Sequence, residues 1–313
     1  LNIFKHILSG RCRMEYCLEN GYLKAVVESR GAELKSLKRK ADSCEMMWEA
    51  DPSFWKESSP FLFPFTGKCR GLKYCYQGKI YEIPQHGFGR MLEFEKKECL
   101  EEGKLILVAE SDETTLAVYP FPFHLEIIFS LEESVLKVEW QVTNTGKEAL
   151  LYSIGGHPGF ACPPNYERTA GNRDRNTCTI RLYGAEDQES LTNLCVSENG
   201  LLSGETVQIP VYKGLLPVTE HLFDKDALLL PRQDITAVGF LDSKGREYVR
   251  VSSETPIWGL WSVADNKAPY ICIEPWFGLC DREGYDGTLE ERPLMTKVEP
   301  GECSIYGYSI SVC

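Results

Sequence analysis

Apolar residues recur at every second position along much of the chain. In HLEIIFSL (124–131) Leu125, Ile127, Phe129 and Leu131 share a face, and after Glu132-Glu133 the stretch SVLKVEWQV aligns Leu136, Val138, Trp140 and Val142. That pattern predicts an antiparallel hairpin with one wet side. Further strands are predicted at 22–28, 79–83, 104–110, 177–183, 206–212, 235–242, 247–253, 257–263 and 304–312, with SKGR (243–246) as another hairpin loop. Helical spacing is confined to SFWKESS (53–59), after Asp51-Pro52, and LTNLCVSENG (191–200). Strands without long helices between them argue against a parallel α/β fold and predict an all-β protein, a large antiparallel β-sandwich. CPPNYERTAGNRDRN (162–176) reads as a long surface loop because strand patterns resume on both sides, so residues 14–313 are expected to form one domain.

Composition narrows the class. With 43% hydrophobic, 11% aromatic and 26% charged residues, the 313-residue chain is that of a folded globular protein. The net charge of −12 and the shortness of the densest basic patch, SLKRK (36–40), argue against nucleic acid as a partner. No apolar run approaches the roughly 18 residues of a membrane-spanning helix. The first thirteen residues, LNIFKHILSGRCR, lack an initiator methionine and hold too short an apolar stretch for a secretory signal, whereas Met14 opens a strand-like sequence. They are expected to be an expression remnant or disordered leader. Thirteen cysteines, an odd number with no CxxC pair and no Cys/His cluster along the sequence, are expected to be reduced, mostly buried thiols of a cytoplasmic protein and not zinc ligands.

Four segments hold polar groups in stiff frames: FPFTGKCRG (63–71), PQHGFGR (84–90), GGHPGF (155–160) and YICIEPWFGLCD (270–281). Gly155 and Gly156 permit unusual angles or close approach, and Pro158 biases His157 toward an extended conformation, so the imidazole is aimed. Taken alone, the hexapeptide reads as an ordinary strand-to-turn junction, and His86 as an ordinary turn residue. Glu274 follows the buried-strand signal of Ile271 and Ile273, where burial would raise its pKa. The competing reading is a strand-end glutamate that reaches solvent.

Taken together, LFPFTGK, HGFGR, GGHPGF, LFDKDAL (222–228) and IEPWFGLCD, in this order over about residues 60 to 281, resemble the aldose 1-epimerase (galactose mutarotase) superfamily, and within it the lactose-operon X-type branch. The resemblance implies a β-supersandwich with a cleft for a small-molecule sugar, no metal and no cofactor; a monomer or dimer is expected. It implies interconversion of the α and β anomers of a hexose, with Glu274 as base, His157 as acid and His86 bonded near the ring oxygen. Arg90 and Asp226 match positions expected near the sugar hydroxyls, with Asp224 a competitor. Trp276 offers an aromatic face to the sugar or packs in the core. The family's usual arginine after the glycine of the first motif is replaced by Lys68, with Arg70 two positions on. Lysine lacks the planar fork of arginine, and Lys68, Arg70 and Arg90 together form a partial basic cluster, so a hexose 6-phosphate is the alternative substrate. A catalytically silent carbohydrate-binding protein is the other alternative. A glycosidase needs two opposed carboxylates, of which only Glu274 has the right setting.

Overall fold

The computed structural model describes residues 13–168, 174–264 and 268–313. All but one residue of the expected leader, and residues 169–173 of the expected surface loop, lie outside them.

The 124–142 alternation forms the hairpin it predicts. Strands Phe123–Glu132 and Val135–Asn144 pair antiparallel, with Leu125 opposite Val142, Ile127 opposite Trp140 and Phe129 opposite Val138. All six side chains are buried, because a period-two apolar set gives a strand one face to hide. The hairpin lies within a nine-stranded sheet that runs, in spatial order, Leu215–Pro217, Thr179–Tyr183, Ala237–Leu241, Glu247–Ser252, Cys303–Val312, Val135–Asn144, Phe123–Glu132, Lys104–Glu110 and Glu95–Lys97.

A second, eight-stranded sheet orders Leu202–Pro210, Ser190–Val196, Leu228–Pro231, Ile257–Trp261, Tyr270–Phe277, Ile154–Gly156 and Phe61–Leu62, with Gly159–Ala161 also paired to Tyr270–Phe277. The two sheets face each other through aromatic contacts such as Phe61 with Trp140 (5.8 Å between ring centres) and Phe160 with Phe240 (6.2 Å). A four-stranded sheet over residues 15–45 packs its buried Leu23, Ala25 and Val27 into the same core. The all-β antiparallel sandwich expected from the sequence is the observed architecture.

Both helical expectations fail. LTNLCVSENG supplies all but the first residue of the strand Ser190–Val196, paired residue for residue with the Leu202–Pro210 strand from Ser190 to Leu194; its apolar positions fit both periods over so short a stretch. SFWKESS forms a turn started by Asp51, whose carbonyl accepts from Phe54 and Trp55 N–H. The chain is then pulled out of helix: the Trp48 indole donates to the Trp55 carbonyl at 2.8 Å, and the Glu33 carboxylate accepts from Ser58 and Ser59 N–H. A short helix, Glu113–Val118, opens with Asp112 and Thr115 capping each other, a signal present in the sequence but too short for hydrophobic periodicity to reveal. Of the twelve described cysteines, six are buried and Cys17, Cys303 and Cys313 are exposed, so the thiols are less buried than expected.

Candidate active site

The strand Tyr270–Phe277 divides its side chains between two environments. Ile271, Ile273 and Phe277 enter the core between the sheets, while Cys272, Glu274 and Trp276 point to the opposite side. Two neighbours flank it, and Gly259 stands opposite Glu274 on one of them. On the other, Gly155 pairs with Trp276 and Gly159 with Cys272, and the Pro158 carbonyl accepts from Ile273 N–H at 3.1 Å. The same register puts His157 opposite Glu274, and its Nε2 lies 3.2 Å from Glu274 Oε1. The two atoms are within ion-pair and proton-transfer distance, although they lack hydrogen-bond alignment, and His157 Nδ1 has no partner. The glycines serve here through close approach: a Cβ on Gly155 would stand 3.0 Å from the Pro275 oxygen, and one on Gly156 3.0 Å from the Tyr308 ring.

His86 is held at two points. Its backbone is in the left-handed region (φ 64°), which a non-glycine residue keeps only where its surroundings enforce it. Here the His86 N–H donates to the Gly67 carbonyl at 2.7 Å, and the Gly67 N–H donates to His86 Nδ1 at 3.0 Å. A ring whose Nδ1 accepts carries its hydrogen on Nε2. The Gln85 amide lies 3.3 Å from Nε2. Gly87 follows at φ 69°, its absent side chain admitting the Phe63 carbonyl to 2.2 Å of where a Cβ would stand.

These groups line a cavity of about 410 Å³, within the range of small-molecule sites. His86, Arg90, His157, Asp226, Glu274 and Trp276 all reach its wall. Lys68 and Arg70 do not: the Lys68 ammonium donates to the Asn199 carbonyl at 2.7 Å, and Arg70 Nη1 donates to the Tyr285 carbonyl at 3.0 Å. The basic cluster expected of Lys68, Arg70 and Arg90 is therefore not assembled. Asp224 faces His221, 2.7 Å away on the exposed surface, whereas Asp226 reaches the cavity wall. Trp276 is tied to the carboxylate directly, its indole N–H donating to Glu274 Oε2 at 3.0 Å.

Sequence reading missed Trp55, Glu57 and Trp261 in the wall. The Trp55 and Trp261 rings lie 5.0 and 5.5 Å from that of His157, and Glu57 Oε2 accepts from Arg90 Nη1 at 2.7 Å. Trp261 lies in the predicted strand 257–263 on the same face as Gly259, a signal that was available; the 51–60 turn carried none.

Burial controls protonation. It drives the Glu274 carboxyl well above its ordinary value, opposed by the Trp276 hydrogen bond and Arg90 and assisted by Asp226. Burial, then the Arg90 charge, lowers His157 to about 3; His86 is pushed well down by burial, Arg90 and His157. Burial thus favours the neutral forms of both imidazoles and of the Glu274 carboxyl in the free protein.

The fold also gathers His157, Cys272 and Glu274, with one ligand atom from each within 4.8 Å of the others, a cluster hidden in the linear sequence. Cysteine binds zinc as the thiolate, and burial keeps the Cys272 thiol protonated. The group does not fit a preformed metal site.

The family model described as Aldose 1-epimerase matches residues 14–278. The chain is 31% identical over 304 residues to "Protein LacX, chromosomal" of Lactococcus lactis subsp. lactis, covering 94% of this chain and 98% of that one. Among solved structures, a galactose mutarotase related enzyme from Lactobacillus acidophilus superposes with a TM-score of 0.87 at 29% identity, over 96% of this chain and 97% of that one. A putative aldose 1-epimerase of Escherichia coli K12, 20% identical, shares the fold with a TM-score of 0.72 over 96% of this chain and 99% of its own.

Proposed function

The chain belongs to the aldose 1-epimerase family, and from that premise we propose that it interconverts the α and β anomers of an aldohexose by acid–base opening and re-closure of the ring. Glu274 takes the proton of the anomeric hydroxyl as His157 gives one to the ring oxygen. Both oxygens are bonded to the anomeric carbon, so an acid and a base 3.2 Å apart serve both from one bound pose. The bond from that carbon to the ring oxygen breaks, its electron pair stays with the ring oxygen, and the anomeric oxygen becomes the aldehyde. Rotation about the adjacent carbon–carbon bond presents the other face, and the steps run backwards.

One mobile proton suffices. Imidazolium with carboxylate before opening becomes neutral imidazole with carboxylic acid after it, and the second arrangement is the one burial favours in the free protein. The Trp276 N–H on Oε2 supports the carboxylate when the proton crosses to His157. His86 offers its Nε2–H to the ring oxygen, and Arg90 and Asp226 meet hydroxyls. No nucleophile and no covalent intermediate enter.

The observation that carries this reading is the His157–Glu274 contact in the wall of a cavity of sugar size. Polarimetry of freshly dissolved α-galactose and α-glucose tests it: the approach to equilibrium rotation should accelerate in proportion to protein added. A rate equal to that of buffer, across a panel of aldoses and their 6-phosphates, would leave only sugar binding.

A further inference from the structure

Arg90 occupies an unusual electrostatic position. Its Nη1 donates to Glu57 Oε2 at 2.7 Å, with the two side chains 22% and 25% exposed, while Nε and Nη2 are buried without partners. The guanidinium therefore keeps N–H donors for a ligand although its charge is already balanced. Among the described residues lining the cavity Arg90 is the one cation, whereas Glu57, Asp226 and Glu274 supply three carboxyls. Lys68 and Arg70, the other cations in the neighbouring motif, are held by backbone carbonyls away from the wall.

We infer that Glu57 is a specificity-determining residue that selects the charge class of the substrate, admitting uncharged aldoses and turning away aldoses that carry a phosphate or carboxylate. This rests on the reading of the cavity as an aldose site. A hydroxyl needs only a donor, and the free N–H groups of Arg90 provide it. A phosphate needs net positive charge to offset its desolvation, and the Glu57 carboxylate cancels that charge and repels the newcomer. Specificity of this kind works through the disfavoured ligand as much as the favoured one.

The test measures binding with analogues that cannot react: 1,5-anhydroglucitol and 1,5-anhydrogalactitol, which lack the anomeric hydroxyl, and their 6-phosphates. Quenching of Trp55, Trp261 and Trp276, all in the wall, provides the signal. The native protein should bind at least one neutral analogue more tightly than its phosphate, with a preference that narrows as salt is added. Glu57→Gln, which keeps the size of the side chain and removes its charge, should shift the ratio of the two Kd values about tenfold or more toward the phosphate. A ratio unmoved by Glu57→Gln, or a native preference for the phosphate, overturns the inference while leaving the aldose site intact. If no analogue binds the native protein, the aldose-site reading itself fails and the inference falls with it.

Discussion

Glu274 and His157 meet because their strands keep register through GGHPGF, in which Gly155 pairs with Trp276 and Gly159 with Cys272. The sequence displayed both residues and the stiffness of their frames, but their adjacency depends on pairing between segments more than a hundred residues apart, which periodicity alone does not encode. Glu274→Gln and His157→Asn should each lower kcat about 10²- to 10⁴-fold, measured by anomer exchange, while far-ultraviolet circular dichroism stays native. The raised carboxyl pKa also has a stability consequence. Between its unfolded and folded pKa values the native state holds the proton more tightly than the unfolded chain, so stability falls as pH rises across that window. Glu274→Gln relieves this, and its thermal midpoint at neutral pH should lie roughly 1–3 °C above that of the native protein. The activity profile follows from the same pair. A second proton, which His157 accepts only near its lowered pKa of about 3, removes the base on the acid side; loss of the only proton removes the acid on the alkaline side. The rate should fall as pH rises through the raised Glu274 value, and Trp276→Phe, which deletes the donor to Oε2, should move that fall to higher pH.

At the scale of elements, long alternating strands were legible and short ones ambiguous. The 124–142 hairpin formed as its pattern predicts, whereas 191–200 and 53–59 carried helical spacing and became strand and turn. The second failure bears on function, since the 51–60 turn brings Trp55 and Glu57 to the cavity. Its anchor lies outside its own sequence: the Glu33 carboxylate accepts from Ser58 and Ser59 N–H. Glu33→Ala leaves two backbone donors without that acceptor and should cost about 1–3 kcal/mol in urea unfolding. Because the turn binds and does not transfer protons, KM should rise more than kcat falls. A parallel loss in kcat alone would place the turn in the chemical step.

Across the whole molecule, the class of fold was readable because one wet face and one buried face recur along long strands such as Lys104–Glu110, Phe123–Glu132 and Val135–Asn144. The assembly of the site was only partly so, since its wall draws on segments from Trp55 to Cys280. One buried ion pair links several of them: Arg292 Nη1 lies 2.7 Å from Asp281 Oδ1, with both side chains almost fully buried. Asp281 Oδ2 also accepts from Arg70 N–H, which ties the Gly67 segment under His86 to the end of the Glu274 strand. Arg292→Met strands the Asp281 carboxylate and should destabilise the protein by about 3–5 kcal/mol in urea unfolding. The central claim, that this frame exists to move protons between an aldose and the Glu274–His157 pair, is tested most directly by magnetisation-exchange NMR on galactose and glucose labelled with ¹³C at the anomeric carbon. The account predicts α/β exchange that grows with native protein concentration and returns to the buffer rate in Glu274→Gln; exchange equally fast in that variant, or no faster than buffer with the native protein, would contradict it.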